Sequence, residues 1–460
     1  MPSTFTALEI GKSALMAARR AMEVTGHNVA NAATPGYSRQ EVILEPLIQR
    51  IPLSSGVSGV GVKVADVARI RDRFIDAVLR NEMAKKESFA VQKEVLDHLQ
   101  VVFAEPSDSS LRQAIDDFWA AWHDLSSDPL SEAARSQVME RGRTLTDLFR
   151  HLGSQLDSLT ADIDANIQAT VNKINLTSEK IAVLNVEISR ALARKEPVAD
   201  LMDRRDLLLD ELASLSGATV TYLDQGSSVR VLLGGLPIVD HEKVYKVEIG
   251  PSAEIRVSLG GGQYAVVDAI GGRLGGLKAA RNDIVGEFKE ELESMLQKLV
   301  TNVNDIHDDG ISPSGISGPF FEGVAGDYLG TVRVVQAIQE DPNAICASKT
   351  DPLDGQIARD IASCLDGTSD PSGTSFSDLW MGIVGRLGAV GQKVEGGFDT
   401  QELLVKELEN RRDSVSGVSI DEEIANLVRE QHAFNAASRV ISVADEMLDT
   451  IINRMGMAGR

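Results

Sequence analysis

Ile420, Leu427, Phe434, Ile441, Leu448 and Met455 fall seven residues apart near the end of the chain, and no other feature restricts the fold so tightly. Such a row requires a helix that turns the same face to a partner every two turns. Ile424 and Ile452 stand beside the row. Gln431 and Ser438 take the companion position, where polar side chains give a seam a defined register. Ser419-Ile-Asp-Glu422 reads as a capping box that opens the helix, and Asp421 and Glu423 add negative charge to its first turn.

The other end of the chain repeats the period. Leu8, Leu15, Met22 and Val29 are also seven apart, with Gly11, Ala14, Ala18, Ala21 and Thr25 along the same side. Large residues edged by small ones let a second helix come close. Thr6-Ala-Leu-Glu9 fits a capping box, with Phe5 and Ile10 at the staple positions. Thr34 precedes Pro35 and is pushed out of the helical region, so the helix must end there, and Pro35-Gly36 reverses the chain. Either end alone could be an ordinary core helix. The shared period favours a terminal pair.

Ordering about 25 residues costs roughly 1–2 kcal/mol each in backbone entropy. Burying four or five large seam residues returns only about 2 kcal/mol each. One such helix alone is therefore expected to stay largely unfolded until it finds partners, as the end of a polymer subunit would.

The chain has 460 residues, enough for several domains, and a formal net charge of −22. Residues 1–50 carry five basic against four acidic side chains and residues 410–460 six against eight, so the middle carries −21. That balance argues against nucleic acid and anionic membrane as partners and leaves near-neutral ends suited to packing against copies of themselves. No apolar run is long enough to span a bilayer, so membrane insertion is not expected. "MPSTFTALEI" has no basic region followed by an apolar core, so no cleaved secretory signal is expected. Cys346 and Cys364 lie outside any CxxC pair and could be two inert thiols or one disulfide.

The middle reads as a helical body with one inserted sheet. Ser110-x-x-Gln113 opens a helix carrying Ile115, Phe118, Trp119, Trp122 and Leu125. Asp128-Pro129 reads as the cap of a long helix to about 194, and helix returns over 197–215. From Gly217 the period becomes two ("ATVTYL", "SSVRVLLG", "EKVYKVEIG"), which predicts a small antiparallel β domain. The expected fold is mainly α with this inserted domain, a long helical-bundle body, and N- and C-terminal helices paired as a coiled coil. Its divisions are 1–48 (N-terminal helix and turn), 49–216 (helical body), 217–270 (β domain), 271–310 (return helix), 311–375 (irregular outer excursion), 376–412 (closing helix) and 413–460 (C-terminal coiled-coil helix).

No catalytic constellation emerges. HExxH, a Walker loop and a nucleophile elbow are missing, and "GGRLGGLKAARN" lacks the Gly-Lys-Ser/Thr ending of a phosphate loop. "DIHDDG" (305–310) resembles a calcium loop, but Ile316 stands where the bidentate Glu belongs, so it reads as a solvated turn. No enzyme activity, cofactor or metal is expected.

"SALMAARRAMEVTGHNVANAATPGYSRQ" resembles the N-terminal motif of the flagellar axial proteins (rod, hook and hook-associated), and "SIDEEIANLVREQHAFNAASRVISVADEMLDTIINRMG" resembles their C-terminal partner motif. "VVFAEPSDSSLRQAIDDFWAAWHDLSSDPLSEAARSQV" and "GGRLGGLKAARNDIVGEFKEELESMLQKLVTNVNDIHDDG" are similar to the hook-associated branch. The resemblance covers about 1–240, 270–310 and 395–460. It implies a structural subunit that is exported by the flagellar type III apparatus, secreted, and polymerised at the hook tip as the first hook–filament junction. The implied partners are the chain itself, the hook protein, the next junction protein (protein 3) and an export chaperone on the C-terminal helix. Asn28, Asn31, Pro35 and Tyr37 match the family motif. The Asn pair would cross-link neighbouring helices or their loops, unless it merely frays a helix end, and Tyr37 would pack at the outer edge of the inner tube. Another axial protein of hook or rod type is the nearest alternative, and a secreted helical translocator or adhesin the next.

Overall fold

In chain order, the computed structural model consists of α1 (Thr4–Asn31), the hairpin β1 (Gln40–Arg50) and β2 (Val57–Arg69), α2 (Arg73–Phe103), α3 (Leu111–Ser127), α4 (Glu132–Ala193) and α5 (Ala199–Ser216). The β domain follows, with β3 (Thr219–Leu223), β4 (Ser228–Leu233), β5 (Leu236–Asp240), β6 (Lys243–Val244), β7 (Val247–Ile249), β8 (Ile255–Gly260) and β9 (Gln263–Val266). Next come α6 (Gly272–Ala279), a π-helical stretch (Ala280–Gly286) and α7 (Glu287–Asp308). The short elements β10 (Phe321–Glu322), α8 (Tyr328–Thr331), β11 (Arg333–Val334), α9 (Gln336–Glu340) and α10 (Gln356–Leu365) lead to α11 (Phe376–Ser416) and α12 (Ile420–Asp449). The structure describes residues 4–50, 57–103, 111–251, 253–315, 317–365, 367 and 375–450.

The chain divides into two compact units, both discontinuous in sequence. One comprises Met1–Lys85, Lys173–Ile270 and Gln401–Arg460, and the other Lys86–Asn172 and Gly271–Thr400.

In the first unit the β domain consists of two antiparallel sheets, ordered β3-β4-β5-β6 and β7-β8-β9. Gly234 and Gly235 both take positive φ, the backbone that a two-residue turn between β4 and β5 requires. Two amides of α4 pin the sheets. Asn175 exchanges two 2.8 Å bonds with the Val247 backbone, and Asn185 donates to the carbonyls of Val229 and His241. The hairpin corrects the boundary at 48 and the helical reading of the residues after it. "VGVKVADV" alternates small or apolar with other residues, and β2 pairs with β1 from Gln40↔Arg69 outward.

In the second unit an aromatic core gathers Phe118 and Trp122 of α3 with Phe320 and Phe321, and Phe103 stacks on Trp380 at 5.5 Å. The stretch 305–310 is not the solvated turn its composition suggests. His307 is buried, its Nδ1 lies 2.6 Å from the Gly318 carbonyl, and its Nε2 accepts from the Cys346 amide at 2.9 Å. Those two bonds fix a neutral imidazole, and burial pushes its pKa down to about 4. Residues 311–365 contain several short elements, and an isolated bridge pairs Ile311 with Ser348. Cys346 and Cys364 are both buried and no disulfide joins them.

Two caps differ from expectation. Ser131, not Asp128, accepts from an amide at the start of α4 (Ala134 N, 3.3 Å). At the other cap, Thr6 lies inside α1, which is helical from Thr4. Ser110 falls outside the described residues.

Candidate self-assembly interface

α1 and α12 pack along each other, joining the two ends of the chain. The contact is close because its residues are small. Gly11, Ala18 and Thr25 are buried on α1, and Ala437 and Ala444 on α12. A Cβ added to Gly11 would lie 2.8 Å from Ile441 Cγ1, inside any tolerable contact. Each helix therefore already meets the other within one chain, so the cost of ordering is borne by the pair rather than by a single helix.

The heptad residues are distributed unevenly about this seam. Leu8, Leu15, Met22, Phe434, Ile441 and Leu448 are half-buried, whereas Val29, Ile420, Ile424 and Leu427 are exposed. Ile452 and Met455 lie outside the described residues. A straight helix drifts about 20° per heptad, so a row that enters the seam at Leu448 has left it by Ile420. The companion positions in the seam are Ala437 and Ala444, three residues after Phe434 and Ile441. Gln431 is exposed.

At the base of the pair, Asn28 is 1% exposed and its side-chain amide is fully used. Nδ2 donates to the Gln40 carbonyl and to Glu423 Oε2, both at 2.9 Å. Oδ1 accepts from the Gln40 amide at 3.0 Å and from the Tyr37 hydroxyl at 2.8 Å. Tyr37 also lies 3.0 Å from His27 Nδ1. Burial, then the charges on Asp200, Asp203 and Glu423, hold its phenol protonated well above the usual range. Asn31 plays a local part, donating to the His27 carbonyl and accepting from Thr34 at the end of the helix. Pro35 is exposed. Gly36 turns the chain at φ +76°, and Leu207 of α5 fills the space where its Cβ would stand.

The start of α12 is held by the same loop. Ser419 caps it through the Glu422 amide. Glu422 pairs with Arg39 at 3.1 Å instead of reaching back to the cap, and Arg39 Nε lies 2.9 Å from the other oxygen of Glu423. The Arg39 amide donates to the Ser416 carbonyl. One loop thus holds the end of α1, the end of α11 and the start of α12.

Beneath the loop lies a buried charge network. Asp203, Asp206 and Asp210 are spaced three and four apart and fall on one face of α5. Asp203 accepts from the Ser38 amide and hydroxyl, and Arg69 bridges Asp203 (2.7 Å) and Asp206 (2.9 Å). Arg71 reaches Asp206 (3.3 Å) and Asp76 (2.6 Å), while Arg80 and Arg412 share Asp210. Burial raises the Asp206 pKa, but Arg71, Arg69 and Arg80 outweigh it and hold the carboxyl below its ordinary value. The sequence reading missed this network. Its only trace there is an acidic stripe on a helix, with one arginine at the end of the hairpin and another two residues on.

Among the described residues, no group of three or more His, Cys, Asp or Glu side chains is placed to hold a metal ion, and no helix is long and apolar enough to cross a membrane.

Both of the chain ends that the clamp joins match known families. Residues 8–37 match the flagella basal body rod protein family, and residues 412–455 the flagellar basal body rod FlgEFG protein C-terminal family. These matches define a structural, non-enzymatic protein of the flagellar axis. Residues 96–321 match the flagellar hook-associated protein FlgK helical domain. Flagellar hook-associated protein 1 of Bacillus subtilis is 29% identical over the full length of both chains. That of Escherichia coli is 22% identical, covering 96% of this chain and 98% of its own. The structure of the flagellar hook junction protein FlgK from Burkholderia pseudomallei superposes with a TM-score of 0.66 at 15% identity, covering 74% of this chain and all of that one. Along its whole length the chain is similar to flagellar hook-associated protein 1.

Proposed function

We propose that this chain polymerises at the tip of the flagellar hook as the first hook–filament junction, with the paired terminal helices lining the inner tube. Its partners on this reading are further copies of itself, the hook protein on one side and the next hook-associated protein (protein 3) on the other. It reaches that place by the flagellar type III route. An export chaperone covers the C-terminal helix in transit and prevents early self-association. The helix α1 with the turn after it and the stretch 413–460 are the assembly parts, and Leu8, Leu15, Met22, Val29, Ile420, Ile424, Leu427, Phe434, Ile441 and Leu448 are contact residues, extended by Ile452 and Met455.

One observation carries the reading. The terminal pair is fastened by a buried polar clamp, yet Ile420, Ile424 and Leu427 remain exposed on α12 of the single chain. Apolar residues left uncovered on a helix that is already fixed in place are what a neighbouring copy would bury. The test is a strain whose chain ends at residue 419, compared with wild type. Loss of the protein from isolated flagella, with filament subunits released into the medium, is expected. Full-length filaments on that strain would refute the proposal.

A further inference from the structure

On a helix of 3.6 residues per turn, the exposed apolar side chains of α12 do not form one stripe. With Ala437 and Ala444 set toward α1, Ile420 and Leu427 fall on one flank of the helix, and Ile424 and Val428 continue that patch onto the side away from α1. Val440, Val443 and Met447 fall on the opposite flank. All seven are between 38 and 52% exposed. The complementary regions are polar. Glu422 and Arg429 share the second flank in the first half of the helix, and Ser438, Ser442 and Asp445 share the first flank in the second half. The apolar surface thus changes sides midway along the helix.

Two different patches on opposite flanks cannot both be satisfied by a two-fold dimer, in which each patch meets its own copy. They suit a head-to-tail contact, in which one patch of each molecule meets the other patch of the next, and such a contact repeats without closing into a dimer. Ile420 and Leu427 on one side and Val440 and Met447 on the other flank the face of α12 that packs on α1, so a neighbour seated on either would extend a contact the chain already makes.

We propose that α12 of one copy packs Ile420, Ile424, Leu427 and Val428 against Val440, Val443 and Met447 of α12 in the next copy, the two helices running parallel. The centres of the patches are about 19 residues apart, so neighbouring copies are displaced by about 28 Å along the helix. This deepens the polymer reading and rests on it. It adds a specific pairing, a polarity and a stagger. Val440, Val443 and Met447 lie outside the heptad row and join the interface on exposure alone.

Cysteine cross-linking in assembled flagella tests the pairing. The background carries Cys346→Ala and Cys364→Ala, and three strains add Leu427→Cys, Val443→Cys or both. Flagella are isolated, oxidised with copper phenanthroline and run on non-reducing gels. The double variant is expected to give a ladder of dimers, trimers and higher species, and each single variant only monomer. A dimer from either single variant would overturn the proposal. So would monomer alone from double-variant flagella that retain their filaments. If that pair of cysteines blocks assembly, Val428→Cys with Val440→Cys tests the same flanks and is judged by the same outcomes. Absence of the wild-type chain from isolated flagella would overturn the polymer reading and the stagger together.

Discussion

The Asn28 amide lies 2.9 Å from the Glu423 carboxylate across 395 residues of sequence, and both side chains are buried. Asn28 also satisfies the backbone of Gln40 in both directions, so it serves the turn and the helix pair at once. Asn28→Ala leaves the Gln40 amide and carbonyl and one Glu423 oxygen without their partner. We expect the terminal pair to lose about 3 kcal/mol, read as faster hydrogen exchange at the amides of α12. Asn28→Asp should cost more, because it sets a second carboxylate against Glu423.

Gly36 and Leu207 make a second, separable prediction. Gly36→Ala must place a Cβ 2.4 Å from Leu207 Cγ on a backbone at positive φ. The expected loss is about 3 kcal/mol in urea denaturation. Adding Leu207→Ala removes the clash and leaves only the backbone term, about 1 kcal/mol. The pair should therefore be strongly non-additive. Additive losses would show that Leu207 does not occupy that space.

The buried imidazole of His307 makes stability depend on pH. Its folded pKa of about 4 lies below the ordinary 6.5, so between those values the unfolded chain binds the extra proton. Its stabilising contribution is complete above pH 6.5 and declines as pH falls toward 4, by roughly 3 kcal/mol in all. Asp206, held below the ordinary carboxylate range, has its effect at more acid pH. Denaturation midpoints between pH 7 and 4.5 should fall in the wild type and stay nearly flat in His307→Asn, which starts from a lower value.

The thiols should be silent in the folded chain. Burial pushes Cys346 up to about 11, and Cys364 is also buried. Iodoacetamide at pH 8 should modify neither until urea is added, after which two equivalents react. Labelling of Cys346 in the native chain would show that its enclosure opens on the timescale of the reaction.

The long helices and the β domain were legible because their periods are strong. Leu156, Ile163, Ile167 and Ile174 repeat along α4 over many turns, and Val229 and Val231 alternate cleanly in β4. The pairing of the chain ends was also legible. Which residues meet in the seam was not, because a heptad row marks the face of a supercoiled helix and α12 lets that row drift out of contact. Small residues at Ala437 and Ala444 left little hydrophobic signal, although they sit deepest. The charge network was hidden for a different reason. Asp203 and Asp206 read as solvent-facing in a helix, and their partners Arg69, Arg71 and Arg412 come from distant segments that only the folded chain brings together. Asn28 was singled out by the motif, but its bonds to Gln40 and Glu423 depend on where the chain returns.

The first unit needs both the opening and the closing stretches of the chain. Until residue 423 has emerged, Arg39 and Asn28 lack the carboxylate that joins them, and the face of α1 carrying Gly11 has nothing to lie against. A nascent molecule therefore stays unlatched until Glu423 has been added. Any machinery that engages it within that interval meets two ends that are not yet joined.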